Sequence, residues 1–214
     1  MIWYGPAMPS QFLDAFISGA TLTISLIVSF GPQNTFLLRQ GLSNTHLRTA
    51  LLASIGCEIF LIALGVGGVG ALVQSIPKLK LIFAIAGSVF LTYFGVRSGW
   101  RAATSKYDDV KSRAPFGSAR EVMFAALSFS LLNPTSLFDT VVLIGGLAGQ
   151  FPAPARVAYA IGSLLISSAW FAGLIYGARR LSPLFAKPIA WRIFDGLIAA
   201  IMIALAVKLL LGNL

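Results

Sequence analysis

From Gln11 to Leu38 the chain carries one charged side chain, Asp14, and apolar stretches of similar length recur as far as Leu211. About 20 consecutive apolar residues suffice for a helix to cross the hydrocarbon of a bilayer, which is ~30 Å thick. A water-soluble domain of 214 residues has too little interior to hide several such stretches. Composition agrees. Hydrophobic residues make up 57% and charged residues 11% of the chain, with a mean hydropathy of +0.85, against roughly 25% charged in a soluble domain. The sequence therefore predicts an all-α polytopic membrane protein.

The same facts exclude several classes. No Lys or Arg precedes the first apolar stretch, Arg39 being the first, and the stretch is too long for the core of a secretory signal. The single cysteine, Cys57, rules out an internal disulfide and any Cys-based metal site. His46 is the only histidine and falls in a loop, where it reads as solvated surface. The net charge of +9 fits basic loops facing an anionic leaflet better than nucleic-acid binding. No cofactor is implied.

Six spans are expected, near 12–38, 48–74, 79–100, 119–148, 156–178 and 192–211. The joints are marked by "QGLSNT", "SIPKLK", "GQFPAPAR" and "RRLSPLFAKP". The polar run 101–118 reads as a linker between a first three-helix unit, residues 1–100, and a second, residues 119–214. Of the 16 Lys and Arg, only Lys78, Lys80, Arg156 and Lys208 lie on the side opposite that linker. The positive-inside rule then puts the linker in the cytoplasm and both termini outside. Three spans per half make the second half start from the opposite side, so the halves are expected to be inverted repeats, an arrangement common in secondary transporters.

Two of these spans are interrupted. "GPQNT" at 31–35 and "LLNPTSLFDT" at 131–140 each put a proline inside an apolar run, at a cost of about 3 kcal/mol in a helix interior. Freed backbone groups survive in lipid only where they face protein or a wet cavity. Gly31, Pro32 and Pro134 are therefore expected to open the helices. Gln33, Asn34 and Asn133 beside them are candidate substrate-binding residues. A helix fragment that begins after such a break suits an anion, and the carbonyl end of the preceding fragment suits a cation.

Two acids lie deep within predicted spans, Glu58 in the second and Asp139 in the fourth. Intramembrane acids are costly and mark substrate or proton pathways, so both are candidates for substrate binding and proton coupling. Asp14 reads as a helix N-terminal residue, and Asp195 as a local partner of Arg192. The small residues of "GVGGVG" (65–70) and "SSAWFAG" (167–173) read as close-packing sites. Ser167, Ser168 and Trp170 are candidates to face the cavity.

Together, "GPQNTFLLRQG" (31–41), the acid at 58, "LLNPTSLFDT" (131–140), "SSAWF" (167–171) and the ending "WRIFDGLIAAIMIALAVKLLLG" (191–212) resemble the LysE family of amino-acid exporters. The lysine and arginine exporter branch is the most similar. Gly31, Pro32, Gln33, Asn34, Gln40, Gly41, Asn133, Pro134, Asp139 and Thr140 match the family pattern. Glu58 stands where the family commonly has Asp, Leu131 where it has Trp, and Leu137 where it often has Tyr. The resemblance implies export of basic amino acids across the inner membrane by a homodimer of six-helix chains. Moving a cation outward against an inside-negative potential calls for a compensating movement, and proton entry through Glu58 or Asp139 is the natural candidate. A divalent-cation exporter of related fold is the alternative, and an enzyme is not expected.

Overall fold

The computed structural model describes residues 9–28, 31–69, 76–104 and 116–211, and among these the chain is helical apart from short turns, without a strand. Helix α1 (Pro9–Ile27) is followed by α2 (Pro32–Ser43) and α3 (Leu47–Leu64), which continues through a π-helical turn, Gly65–Val69. Next come α4 (Pro77–Thr104), α5 (Ala119–Leu131) and α6 (Pro134–Ala148), the last π-helical over Phe138–Ile144. Helices α7 (Ala153–Leu181) and α8 (Pro188–Leu211) close the chain.

Among the described residues four helical stretches are long and apolar enough to cross a bilayer: Ser10–Ile27, Leu47–Val69, Ala153–Phe185 and Pro188–Lys208. Helices α5 and α6 together make a fifth, bent by 56° at the break between them. The protein is a multi-pass membrane protein. The stretch expected as a span at 79–100 lies within α4, a 28-residue helix that packs along α8. The outer surface carries Leu52, Phe60, Val89, Trp100 and Leu197, whereas Gln40, Ser54, Ser98, Ser163 and Ser167 are fully buried. Lipid is as apolar as leucine, so burying apolar surface gives no drive for helices to associate. Close backbone approach and internal hydrogen bonds take over that task.

Small residues set the crossings. A Cβ on Gly19 would collide with the Tyr159 carbonyl, and one on Gly162 with the Phe16 carbonyl, so α1 and α7 touch backbone to backbone. Gly41 brings α2 against the Ile175 carbonyl of α7 in the same way. Of the glycines in "GVGGVG", Gly65 meets Gly145 and Val141 of α6, whereas Gly67 and Gly68 face open space. Gly70, like residues 70–74 of the expected second span and 105–115 of the linker, lies outside the described residues.

The structure corrects two expectations. Beyond the break at Gly31, α2 runs past the expected boundary at 38 to Ser43, so Arg39, Gln40 and Gly41 are helical and buried instead of forming a loop. Asn44 ends α2 in the left-handed region (φ 54°), donating its N–H to the Gly41 carbonyl at 3.2 Å. Secondly, Asp195 is no local partner of Arg192, which is exposed. Asp195 is fully buried and accepts a hydrogen bond from Arg39 of α2, and Arg101 of α4 approaches it to 3.5 Å. The Arg39 guanidinium also lies 5.4 Å from the Trp191 ring and 5.6 Å from Phe194. A cation so compensated need not leave the protein interior, which is why its charge does not end the helix.

Removing one partner of a buried ion pair strands the other and costs about 3–5 kcal/mol. Asp195→Asn is expected to destabilise the purified protein by that order in detergent unfolding. Asp14→Asn, at an exposed position, is expected to stay within about 0.5 kcal/mol of the parent.

Candidate functional site

At the first break Gly31 is extended (φ −101°, ψ −179°) and Pro32 opens α2, where its missing N–H costs nothing. The Asn34 side chain reaches back across the break and donates to the Ile27 carbonyl at 2.8 Å. It thereby satisfies one of the carbonyls that α1 leaves without a helical partner. Thr35 closes the turn, its N–H and its hydroxyl each 3.0 Å from the Gly31 carbonyl.

The second break uses the same chemistry with different residues. Asn133 caps α6, its Oδ1 accepting from the Thr135 N–H at 3.1 Å, and Pro134 takes the first helical position. The other end of the Asn133 amide donates to Ser136 Oγ at 2.8 Å, and Ser136 donates to Gln33 Oε1 at 3.3 Å. Residues 103 apart in sequence thus join the two openings through one hydroxyl. The remaining Gln33 atom, Nε2, is buried and has no hydrogen-bond partner among the described residues.

Both breaks border one cavity of about 330 Å³, at the lower end of the range for small-molecule sites. Helix α1 lines it with Thr23, Ser25 and Ile27, and α2 with Gln33 and Asn34. Asn133, Thr135, Ser136 and Asp139 line it from the second break. Helix α3 contributes Glu58, α7 Phe171, and α8 Leu205 and Lys208. Of the residues singled out from the sequence, Gly31, Gln33, Asn34, Glu58, Asn133 and Asp139 all reach this wall.

The acids share the cavity because their helices cross just beyond them. Gly65 and Gly145 bring α3 and α6 into backbone contact, about two turns past Glu58 and Asp139 respectively. Glu58 is buried and accepts from Ser167 Oγ at 3.1 Å. Asp139 is half-buried and makes no hydrogen bond or ion pair among the described residues.

Trp170 is a correction. It packs on the apolar cluster of Phe36, Leu37, Phe171 and Ile175 and takes no part in the cavity wall. Of the residues in "SSAWF", Phe171 reaches the cavity wall, Ser167 bonds Glu58 behind it, and Ser168, like Trp170, is not part of it.

Two contributors were missed in the sequence. Ser136 gave no signal, since a serine in a polar break is unremarkable until its partner across the cavity is known. Lys208 did give one: it interrupts the apolar run "IALAVKLLLG" inside a predicted span, yet it was assigned to the outer surface. It is exposed, and it belongs to the wall that also holds both acids.

A helical membrane protein whose broken helices and intramembrane acids surround one cavity has the architecture of a small-solute carrier. Residues 24–213 match the family described as LysE type translocator, and the chain belongs to that family. It is 34% identical to YggA of Aeromonas salmonicida, provisionally named an amino-acid transporter, over 92% of this chain and 96% of the relative. It is 30% identical to the lysine exporter LysE of Corynebacterium diphtheriae, over 91% and 98%. It is 31% identical to the arginine exporter protein ArgO of Yersinia enterocolitica, over 92% and 96%. No solved structure matches the chain.

The bridge between the two breaks is testable. Ser136→Ala leaves the buried amides of Gln33 and Asn133 each short of a partner, at a cost of about 1–3 kcal/mol for an unsatisfied polar group. Ser25→Ala is the control, because that hydroxyl bonds only the Thr21 and Leu22 carbonyls of its own helix. Chemical denaturation in micelles is expected to show the loss for the first variant and not for the second.

Proposed function

We propose that the protein exports basic amino acids, lysine and arginine, from the cytoplasm across the inner membrane in exchange for protons. The observation that carries the reading is the single cavity that gathers both helix openings and both intramembrane acids. The open N-termini of α2 and α6 offer N–H donors and positive dipole ends to a carboxylate. Glu58 and Asp139 offer carboxylates to an α-ammonium group or a cationic side chain. The relatives named as lysine and arginine exporters support the same substrate class.

In this reading α1–α2 form the first of six spans, α4 the third and α5–α6 the fourth, in two inverted repeats linked by residues 101–118. Packing supports the repeat. Exchanging the halves turns α1 against α7 into α5 against α3, and α2 against α7 into α6 against α3, and all four pairings occur. Where the fragment after each break meets its partner, a glycine allows the backbones to approach closely, Gly41 in one case and Gly145 in the other. The charge distribution of the loops supports a cytoplasmic linker and external termini. A homodimer follows from the family likeness alone.

Energetics call for coupling. An inside-negative potential holds each positive charge inward by about 2.3 kcal/mol per 100 mV. A carrier that takes one proton inward for each monovalent cation moved outward escapes that cost, because the exchange is electroneutral. Glu58 and Asp139 are the side chains of the cavity able to accept the proton once the substrate leaves. The alternative cargo, a divalent cation, is less well served. Among the described residues no three His, Cys, Asp or Glu side chains cluster, and Lys208 adds a repelling charge to the same wall.

Glu58→Gln and Asp139→Asn are expected each to lower lysine efflux from proteoliposomes by 100-fold or more (about 2.7 kcal/mol or above), with the amount of inserted protein unchanged. Proton-driven lysine efflux at the parental rate in both variants would contradict the mechanism.

A further inference from the structure

We propose that Lys208 determines specificity by pairing with the substrate carboxylate, so that the carrier takes amino acids and rejects the corresponding decarboxylated amines. The inference rests on the amino-acid export reading and refines it.

Among the described residues three ionisable side chains line the cavity: Glu58, Asp139 and Lys208. A lysine or arginine molecule carries three charges as well, two positive and one negative. The cavity therefore mirrors such a substrate group for group. Were Lys208 simply a built-in counter-ion for the acids, it would sit in contact with one of them. Among the described residues the ion pairs are those of Asp195, and neither Glu58 nor Asp139 pairs with Lys208. Opposite charges held in one wall without touching are arranged for a ligand that bridges them.

The position on α8 fits. Leu205 and Lys208, three residues apart, both reach the cavity, as neighbours on one helix face do. Lys208 is exposed and lies in the last turn of α8, so its ammonium stands at the rim, where an extended four-carbon stem can swing toward an entering carboxylate. The wall holds a second donor residue: Gln33, whose Nε2 is buried without a partner among the described residues. A carboxylate has two oxygens and accepts from both at once. A diamine has no group for either donor, and its two cations neutralise the two acids and leave the Lys208 charge without a counter-charge.

The test compares L-lysine with 1,5-diaminopentane, which is lysine without its carboxylate, as competitors of radiolabelled lysine efflux in proteoliposomes. The parent protein is expected to prefer lysine by at least 10-fold. Lys208→Met is expected to raise KM for lysine 10-fold or more with little change in kcat. Inhibition by the diamine should stay the same or strengthen, so that discrimination disappears, and Lys208→Arg should retain it. An unchanged lysine KM in Lys208→Met would overturn the inference while leaving the export reading intact. So would an equal loss toward both compounds, which is the mark of general damage. Failure of the parent protein to move lysine or arginine at all would overturn the export reading, and this inference with it.

Discussion

The structure depends on one constraint: a polypeptide that opens its backbone inside lipid must supply partners for every group it frees, because no water is there to do so. Both openings meet the constraint with amide side chains. Asn34 reaches back to the end of α1, Asn133 caps the start of α6, and Ser136 ties Asn133 to Gln33 from one break to the other. The amides near the two prolines thus have a structural duty before any functional one. What they leave over is the informative part. One Gln33 donor and the first turns of two helices border a cavity, where a solute can complete the hydrogen bonding that the protein does not.

Charges inside the bundle fall into two groups that are handled in opposite ways. Asp195 is surrounded by two guanidiniums, and Arg39 rests near two aromatic rings, so this cluster is compensated and its evident work is to pin α2 and α4 to α8. Glu58, Asp139 and Lys208 share a wall without pairing with one another. Leaving charged groups uncompensated in an apolar slab is expensive, and folding alone gains nothing by it. The expense becomes intelligible if the missing charges arrive and depart with cargo.

Much of this was legible in the sequence because it rests on local rules. A proline inside an apolar run predicts an opening wherever the chain goes, and an acid in the middle of a predicted span is conspicuous without coordinates. Gly31, Pro32, Pro134, Glu58 and Asp139 belong to this kind, and the family likeness added the substrate class. What could not be read was pairing across the fold. Arg39 looked like the end of a helix because its partner lies 156 residues away, and Asp195 looked local because Arg192 is near it in sequence. Trp170 failed for a different reason. Neighbouring helix positions point about 100° apart, and nothing in "SSAWF" tells which of them meets the cavity. Lys208 was visible as a charge within an apolar run, and its importance emerged only when the acids were found in the same wall.

The central claim is that one cavity bounded by both breaks receives the cargo. Because Cys57 is the single cysteine, a Cys57→Ser background allows Gln33→Cys and Asn133→Cys to be labelled separately with a small thiol reagent on purified protein. If one cavity holds the substrate, lysine slows modification at both positions over the same concentration range. If lysine protects neither position, or protects one and leaves the other untouched at saturation, the two breaks do not share a substrate site and the account is wrong.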